Sequence, residues 1–233
     1  MVPQFCDFVA ERHRIFVRRE RGDAKPWTTD AVLRDYLFCN IYRELDRGTI
    51  FLHCQLPIQK AKWDTHAAEC KQCRDRKLSP LHIATWTIIS YRLLNRVTSV
   101  PPDGLPLPCN EQLEIFLAHL QHIRDTGRPV FTDAHQALSM EDFSSTLQHL
   151  LSCKAQLLHK VCASLSGRPE LEKLHRCLQV VPRVGPFYAW QVVADLVECG
   201  ALSAVHPINE DGWVHLGPGA VSGLKKVLKK GKN

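Results

Sequence analysis

Asn40, Arg43, Asp46 and Arg47 lie within eight positions of one another, spaced by three and four residues. A guanidinium fork beside a carboxylate suits recognition of phosphate or carboxylate, because Arg presents several donors in a fixed plane. The same spacing also describes a solvated helix laced with ion pairs, and both readings stand on spacing alone. Arg12 and Arg19 add two cations on the stripe that carries Phe16. Arginines on an apolar face need partners, so they pair with Asp46 or Glu44 or point into a cleft between the first two helices. Arg14, Arg18 and Arg21 fall on a separate stripe and read as a solvated basic face, useful for nonspecific attraction to DNA.

A second kind of chemistry sits at 181–189, Val-Pro-Arg-Val-Gly-Pro-Phe-Tyr-Ala. Gly185 makes a tight turn and Pro186 can open a helix, so this reads as a helix-hairpin-helix whose helix N-terminus favours a phosphate. An ordinary helix–helix corner is the alternative. On the following helix Trp190, Val193, Ala194 and Val197 are expected to face inward, leaving Tyr188, Gln191 and Asp195 on another stripe. Asp195 could serve as a base, or cap a helix or pair with an arginine. Gly217-Pro218-Gly219 repeats the glycine-turn theme before a short lysine-bearing helix that includes Lys225. Its basic end is a solvated tail or an import signal.

His66, Cys70, Cys73 and His82 are spaced His-x3-Cys-x2-Cys-x8-His, a donor set that suits tetrahedral zinc; a charged surface loop is the competing reading. His53 with Cys54 is a weaker ligand pair. No cofactor is otherwise demanded by the sequence. Six further cysteines, Cys6, Cys39, Cys153, Cys162, Cys177 and Cys199, stand singly in helix-like segments and are expected to be buried or half-buried thiols rather than a disulfide framework.

These residues need elements to hold them. The chain of 233 residues is long enough for a sizeable core, and a 45% hydrophobic, 23% charged composition excludes a disordered or fibrous chain. A formal net charge of +6 favours nucleic acid as a partner. No apolar run approaches the length of a membrane span and no secretory leader is evident, which places the protein inside the cell, and in the nucleus of a eukaryotic host.

Periodicity predicts helices over 5–21, 30–45 (with Leu33, Leu37, Ile41 and Leu45 inward), 81–97, 110–125, 140–165 with a break, 170–179 and 187–199, then a basic one at the end. A small strand pair near 49–52 or 213–216 stays open. Residues 101–109, rich in proline, read as a connection between an N-terminal helical subdomain over 1–100 and a second one over 110–224, with 225–233 as a basic tail. The fold class expected is therefore all-α.

Several motifs in order carry a resemblance: Glu11-Arg12-His13-Arg14-Ile15, Arg18-Arg19, Lys25-Pro26-Trp27-Thr28-Thr29-Asp30 and 38–49, Phe-Cys-Asn-Ile-Tyr-Arg-Glu-Leu-Asp-Arg-Gly-Thr, followed by Gly185-Pro186-Phe187, Asp195 and Gly217-Pro218-Gly219-Ala220. Together they resemble the helical domain of 5-hydroxymethyluracil DNA kinases and the related α-glutamyl/putrescinyl thymine pyrophosphorylases, from about Phe5 to about Leu224. The resemblance implies a DNA-glycosylase-like fold with a helix-hairpin-helix element, acting on thymine-derived bases, with a cleft that holds a base near Arg43, Asp46 and Asp195 as catalytic residues.

Arg12, Arg19, Asn40, Arg47, Gly185, Tyr188, Gln191, Gly217, Gly219 and Lys225 would contact DNA or phosphate. In the pyrophosphorylase branch an amine displaces pyrophosphate, arginines stabilise the leaving phosphates and a carboxylate takes the amine proton. No Gly-x4-Gly-Lys-Ser/Thr loop is present, so kinase activity would come from a separate kinase, and the family would continue with further helices beyond Leu224. A DNA-binding module without chemistry, or a zinc-stapled interaction module, is the alternative function.

Overall fold

The computed structural model describes residues 3–36, 38–133, 138–152, 159, 160, 163, 170–202 and 208–229. Among these residues the secondary structure is entirely helical: α1 Pro3–Glu20, α2 Ala31–Asp35, α3 Arg47–Glu69, α4 Lys71–Asp75, α5 Pro80–Leu94, α6 Asn110–Asp125, α7 Met140–Ser152, α8 Leu171–Leu178, α9 Pro186–Glu198 and α10 Pro218–Lys229. Short 3-10 turns occupy Arg43–Leu45, Val97–Ser99 and Glu210–Gly212. None of the helices is long and apolar enough to cross a membrane.

The chain divides into two compact units, one comprising Met1–Ile50 with Leu216–Asn233 and the other Phe51–His215. This differs from the expected boundary at 101–109. That proline-rich segment is packed rather than spanning: Leu105 and Leu107 are buried, and Trp86 donates its indole N–H to the Pro106 carbonyl at 2.7 Å. Gly104 sits at φ +92, where a Cβ would come within 2.6 Å of the Gln59 side chain. Only glycine fits both the left-handed backbone and the close approach.

The second unit is organised around α5. Nearly every residue from His82 to Leu94 is buried, as expected for a helix apolar on all sides. Ser79 and His82 form a capping box at its start, Pro80 occupies the first turn, and Asn95 closes it in the left-handed conformation at φ 46. Around α5 pack α9 and α7, with α8 against α9 and α6 against α7. The main core joins Trp86, Ile89, Phe116, Phe143, Leu174 and Val193. Trp213 covers α8 and α9, its ring centroid 5.0 Å from His175 and 5.6 Å from Trp190.

Three expectations are corrected. The helix predicted over 30–45 is not formed: α2 ends at Asp35, Tyr36 is extended, residues 38–42 are non-helical, and only Leu33 of the proposed inward set is buried, with Leu37 outside the described residues. The long helix lies further on, at α3, and residues 49–52 belong to it rather than to a strand. Its buried stripe, Thr49, Leu52, Gln59 and Trp63 with half-buried Leu56 between, has helical spacing. Two polar members and the interior Pro57 conceal it. In α9 the inward face is also displaced: Ala189, Val192, Val193, Asp195 and Leu196 are buried, while Trp190, Ala194 and Val197 are half-buried.

The first unit is held largely by polar contacts from α1. The Thr28 hydroxyl bonds Glu11, and Thr28 Oγ1 also accepts the Asp30 N–H at 3.1 Å. Asp30 caps α2 by accepting the Leu33 N–H at 2.9 Å. Arg18 donates to the Trp27 carbonyl. Ring contacts fasten the 38–42 segment to the same helix, Phe8 to Phe38 at 5.7 Å and His13 to Tyr42 at 5.2 Å.

Candidate functional site

These contacts draw the motifs at 11–19, 25–30 and 38–47 around one cavity of about 620 Å³ within the first unit. Its walls carry the cations Arg12, Arg19, Lys25, Arg34 and Arg47, the aromatics Trp27, Tyr36 and Phe38, and Asn40; Asp46 is the one carboxylate among the lining residues. Arg12 is the innermost cation, only 7% exposed. One of its terminal nitrogens donates to the Phe38 carbonyl at 2.6 Å and to Asn40 Oδ1 at 3.3 Å, while the other is buried with no hydrogen-bond partner. Asn40 then passes the interaction on, its amide nitrogen donating to Asp46 Oδ1 at 3.0 Å and to the Leu45 carbonyl at 2.9 Å. Arg12 therefore meets Asp46 through Asn40, not directly.

Burial, and after it the charge of Arg19, pulls the Arg12 guanidinium below its ordinary value. Glu11, bonded to Thr28 and then to Arg14, is held below the usual carboxylate range. Arg19 lies over the Phe16 ring at 5.4 Å and bonds Glu20 at 3.2 Å, and Lys25 lies over the Trp27 ring at 5.0 Å. Arg14 is exposed, as expected of a solvated face, and Arg18 is half-buried; both bond Glu11, at 3.0 and 3.3 Å. Asp46 ends the 3-10 turn and its carbonyl accepts the Ile50 N–H in the first turn of α3, so Arg47 stands at that helix start. Arg43, in the 3-10 turn, is half-buried and is not among the residues lining the cavity.

Asp195 belongs to the second unit. Its side chain is fully buried and accepts two hydrogen bonds of 2.6 Å from Arg92, so this carboxylate is committed to a bidentate ion pair. His53 Nε2 stands 3.7 Å from Asp195 and 3.9 Å from Glu198. Nothing in the spacing of Arg92, His53 and Glu198 along the sequence announces this group. Tyr188 and Gln191 are half-buried on α9. Gly185 precedes Pro186 at the start of α9 with an ordinary φ of −75, and the left-handed residue of that turn is Arg183 at φ 62. The glycine is therefore not required by the backbone conformation expected of it. Gly217 precedes α10, Gly219 lies in its first turn, and Lys225 is exposed along it.

Of the expected zinc ligands, His66, Cys70 and Cys73 have donor atoms within 4.8 Å of one another. His82 is elsewhere engaged. Its Nδ1 accepts the Ser79 N–H at 3.1 Å, which leaves the proton on Nε2, 2.7 Å from His159 Nδ1. Burial, then the neighbouring His159, lowers His82 to about 4. The side chain that does reach the cluster is Cys109, 3.5 Å from His66 Nε2 and bonded to Cys73. Burial pushes Cys73 up to about 12 and raises Cys109 as well. The single cysteines divide: Cys6 and Cys39 are exposed, contrary to expectation, Cys177 and Cys199 are half-buried, and Cys153 and Cys162 lie outside the described residues. Cys54, proposed as a ligand with His53, is exposed.

Against known proteins, residues 1–233 match the sequence profile of the family described as "5-hmdU DNA kinase, helical domain". The chain belongs to this family. It is 26% identical over 239 residues to a 5-hmdU DNA kinase of Bacillus phage SP10, an alignment covering 95% of this chain and 35% of that protein. The chain thus spans about a third of the length of this relative. No solved structure matches it. Within the family domain, the motifs that carried the resemblance in the first 50 residues line or support the cavity around Arg12 and Asn40.

Proposed function

We propose that this helical domain acts in modification of 5-hydroxymethyluracil in DNA, and that its first-unit cavity receives a phosphorylated or pyrophosphorylated thymine-type base. The observation that carries this reading is Arg12: a buried guanidinium with an unpartnered nitrogen, facing further cations, in a cavity lined by a single carboxylate. A buried cation disfavoured by both desolvation and a like charge is relieved by an anion. Exposed Tyr36 and half-buried Trp27, both in the cavity wall, offer flat surfaces on which a base turned out of the duplex would stack. Arg47 and Arg19 would hold the phosphates, and the amide of Asn40 would fix Arg12.

If the reaction is of the pyrophosphorylase type, an amine attacks the methylene carbon of the base, the carbon–oxygen bond to pyrophosphate breaks, and Asp46 takes the amine proton while the arginines receive the leaving charge. Arg43, half-buried in the adjacent 3-10 turn and outside the cavity lining, is assigned no contact with these phosphates. Asp195 is assigned to the domain's framework rather than to proton transfer, because its charge is already answered by Arg92. The first turn of α9 after Gly185, with Tyr188 and Gln191, and the Gly217–Gly219 turn with Lys225 are proposed as backbone phosphate contacts, which would be tolerant of sequence. Transfer of phosphate onto the base would fall to a kinase outside these 233 residues, and the donor amine would be a second substrate.

The test is binding of the whole chain to duplexes carrying thymine, 5-hydroxymethyluracil or its pyrophosphorylated form, over a salt series. Tighter binding of the phosphorylated duplex, lost in Arg12→Met and Arg47→Ala, is expected. Equal binding of all three by wild type and variants alike would overturn the assignment of the cavity.

A further inference from the structure

We propose that His66, Cys70, Cys73 and Cys109 form a structural site for one thiophilic divalent cation, zinc, in the second unit. The donors come from three separate places in the chain. His66 lies in the last turn of α3, Cys70 and Cys73 frame the start of α4, and Cys109 precedes α6, so that one ion joins three helices across a 43-residue separation.

The geometry fits a tetrahedral ion. Zinc–sulfur bonds of about 2.3 Å and zinc–nitrogen bonds of about 2.0 Å place a sulfur and a nitrogen ligand about 3.5 Å apart. Cys109 Sγ and His66 Nε2 stand at 3.5 Å. Donor atoms of His66, Cys70 and Cys73 lie within 4.8 Å of one another, and the Cys73 side chain bonds both Cys70 and Cys109. Two thiols and one imidazole thus lie within ligand reach of one another, and the Cys109 thiol adjoins them through His66 and Cys73.

The surroundings are those of a ligand shell. Backbone N–H groups of Cys73 and Gln72 are directed at the Cys70 sulfur, and that of Gln112 at the Cys109 sulfur. Such donors stabilise sulfur carrying negative charge and have little to offer a neutral thiol. Three thiolates and a neutral histidine around a divalent ion leave one net negative charge, and Arg76 lies close by, donating to the Pro108 carbonyl at 2.6 Å and acting on Cys109. Buried Cys73 and Cys109 also belong to a small apolar cluster with Trp63, Ile83 and Leu107, apart from the main core. A cluster of that size contributes little burial on its own, and a metal is one of the ways such a region is fixed.

The experiment is metal analysis of the purified, reduced chain together with cobalt substitution. One zinc per chain is expected, and cobalt should give the thiolate-to-metal absorption of a tetrahedral site with three sulfur ligands. Cys109→Ser should lose zinc or reduce that absorption to two thiolates, whereas His82→Ala and the exposed control Cys54→Ser should keep it whole. The proposal is overturned by a wild-type chain that takes up neither metal, by a Cys73–Cys109 disulfide in the freshly isolated protein, or by loss of metal in His82→Ala with retention in Cys109→Ser. The wild-type cobalt spectrum counts the sulfurs by itself, so it decides even if a cysteine variant fails to fold.

Discussion

The Arg12–Asn40–Asp46 network and the Arg92–Asp195 pair use the same two functional groups in opposite ways. In the second unit, guanidinium and carboxylate meet directly through two 2.6 Å bonds and the aspartate is wholly buried. In the first, an asparagine is placed between them, Arg12 keeps a nitrogen without a partner, and the group forms the wall of an open cavity among other cations. The Arg92–Asp195 pair has answered its charges within the fold; the Arg12 network keeps an unpartnered donor, which the proposed reading gives to a ligand. Accounting for donors, more than the presence of arginine beside aspartate, separates the two roles.

The largest effect should come from breaking the closed pair. Asp195→Ala removes both 2.6 Å bonds from the buried Arg92, and is expected to cost about 3–5 kcal/mol in denaturant unfolding. A loss under 1 kcal/mol, with binding or turnover abolished instead, would reverse the contrast and return Asp195 to the chemistry. Next, buried His82 gives the second unit an acid-sensitive step. Its folded value of about 4 lies below the ordinary 6.5, so the unfolded chain binds a proton first as pH falls. Stability is full above pH 6.5 and declines until about pH 4, by at most about 3 kcal/mol. A His82→Asn chain should show a flatter series of melting temperatures between those limits. No histidine lines the first-unit cavity, so His82→Asn should leave ligand affinity unchanged at pH 7.

At the open site, loss of charge should reach binding before stability. Arg47, exposed at the start of α3, is the cleaner probe: Arg47→Ala is expected to weaken binding of the phosphorylated duplex roughly tenfold, the worth of one charge-assisted contact, with a melting temperature close to wild type. The smallest change tests the α9 turn. Gly185 has an ordinary φ and no atom within 4 Å of a Cβ, so Gly185→Ala should cost only about 0.5–1 kcal/mol as a changed helix cap. A loss of DNA affinity out of proportion to that would mark close approach of a phosphate to this backbone; unchanged affinity would make the turn an ordinary corner.

Helices with apolar faces were legible from spacing. The stretch at 110–125 coincides with α6, and α5, α8 and α9 begin and end within a few residues of their expected bounds. Helix α3 was not, because Thr49 and Gln59 occupy its buried stripe and Pro57 interrupts it, while the apparent stripe at 33, 37, 41 and 45 belonged to a segment that α1 holds in another conformation. The same bond that fixes this segment, Arg12 to the Phe38 carbonyl, also builds the cavity.

From the sequence alone follow the all-helical class and the motif residues that meet in the first unit, since local periodicity and residue chemistry act over a few positions. Tertiary structure alone decided which partner each charged, thiol or imidazole group has. Arg92 reaches Asp195 across 103 positions, Cys109 reaches His66 across 43, and His82 turns to His159 across 77. Such pairings depend on which helix faces pack together, and no spacing along the chain encodes that distance in space.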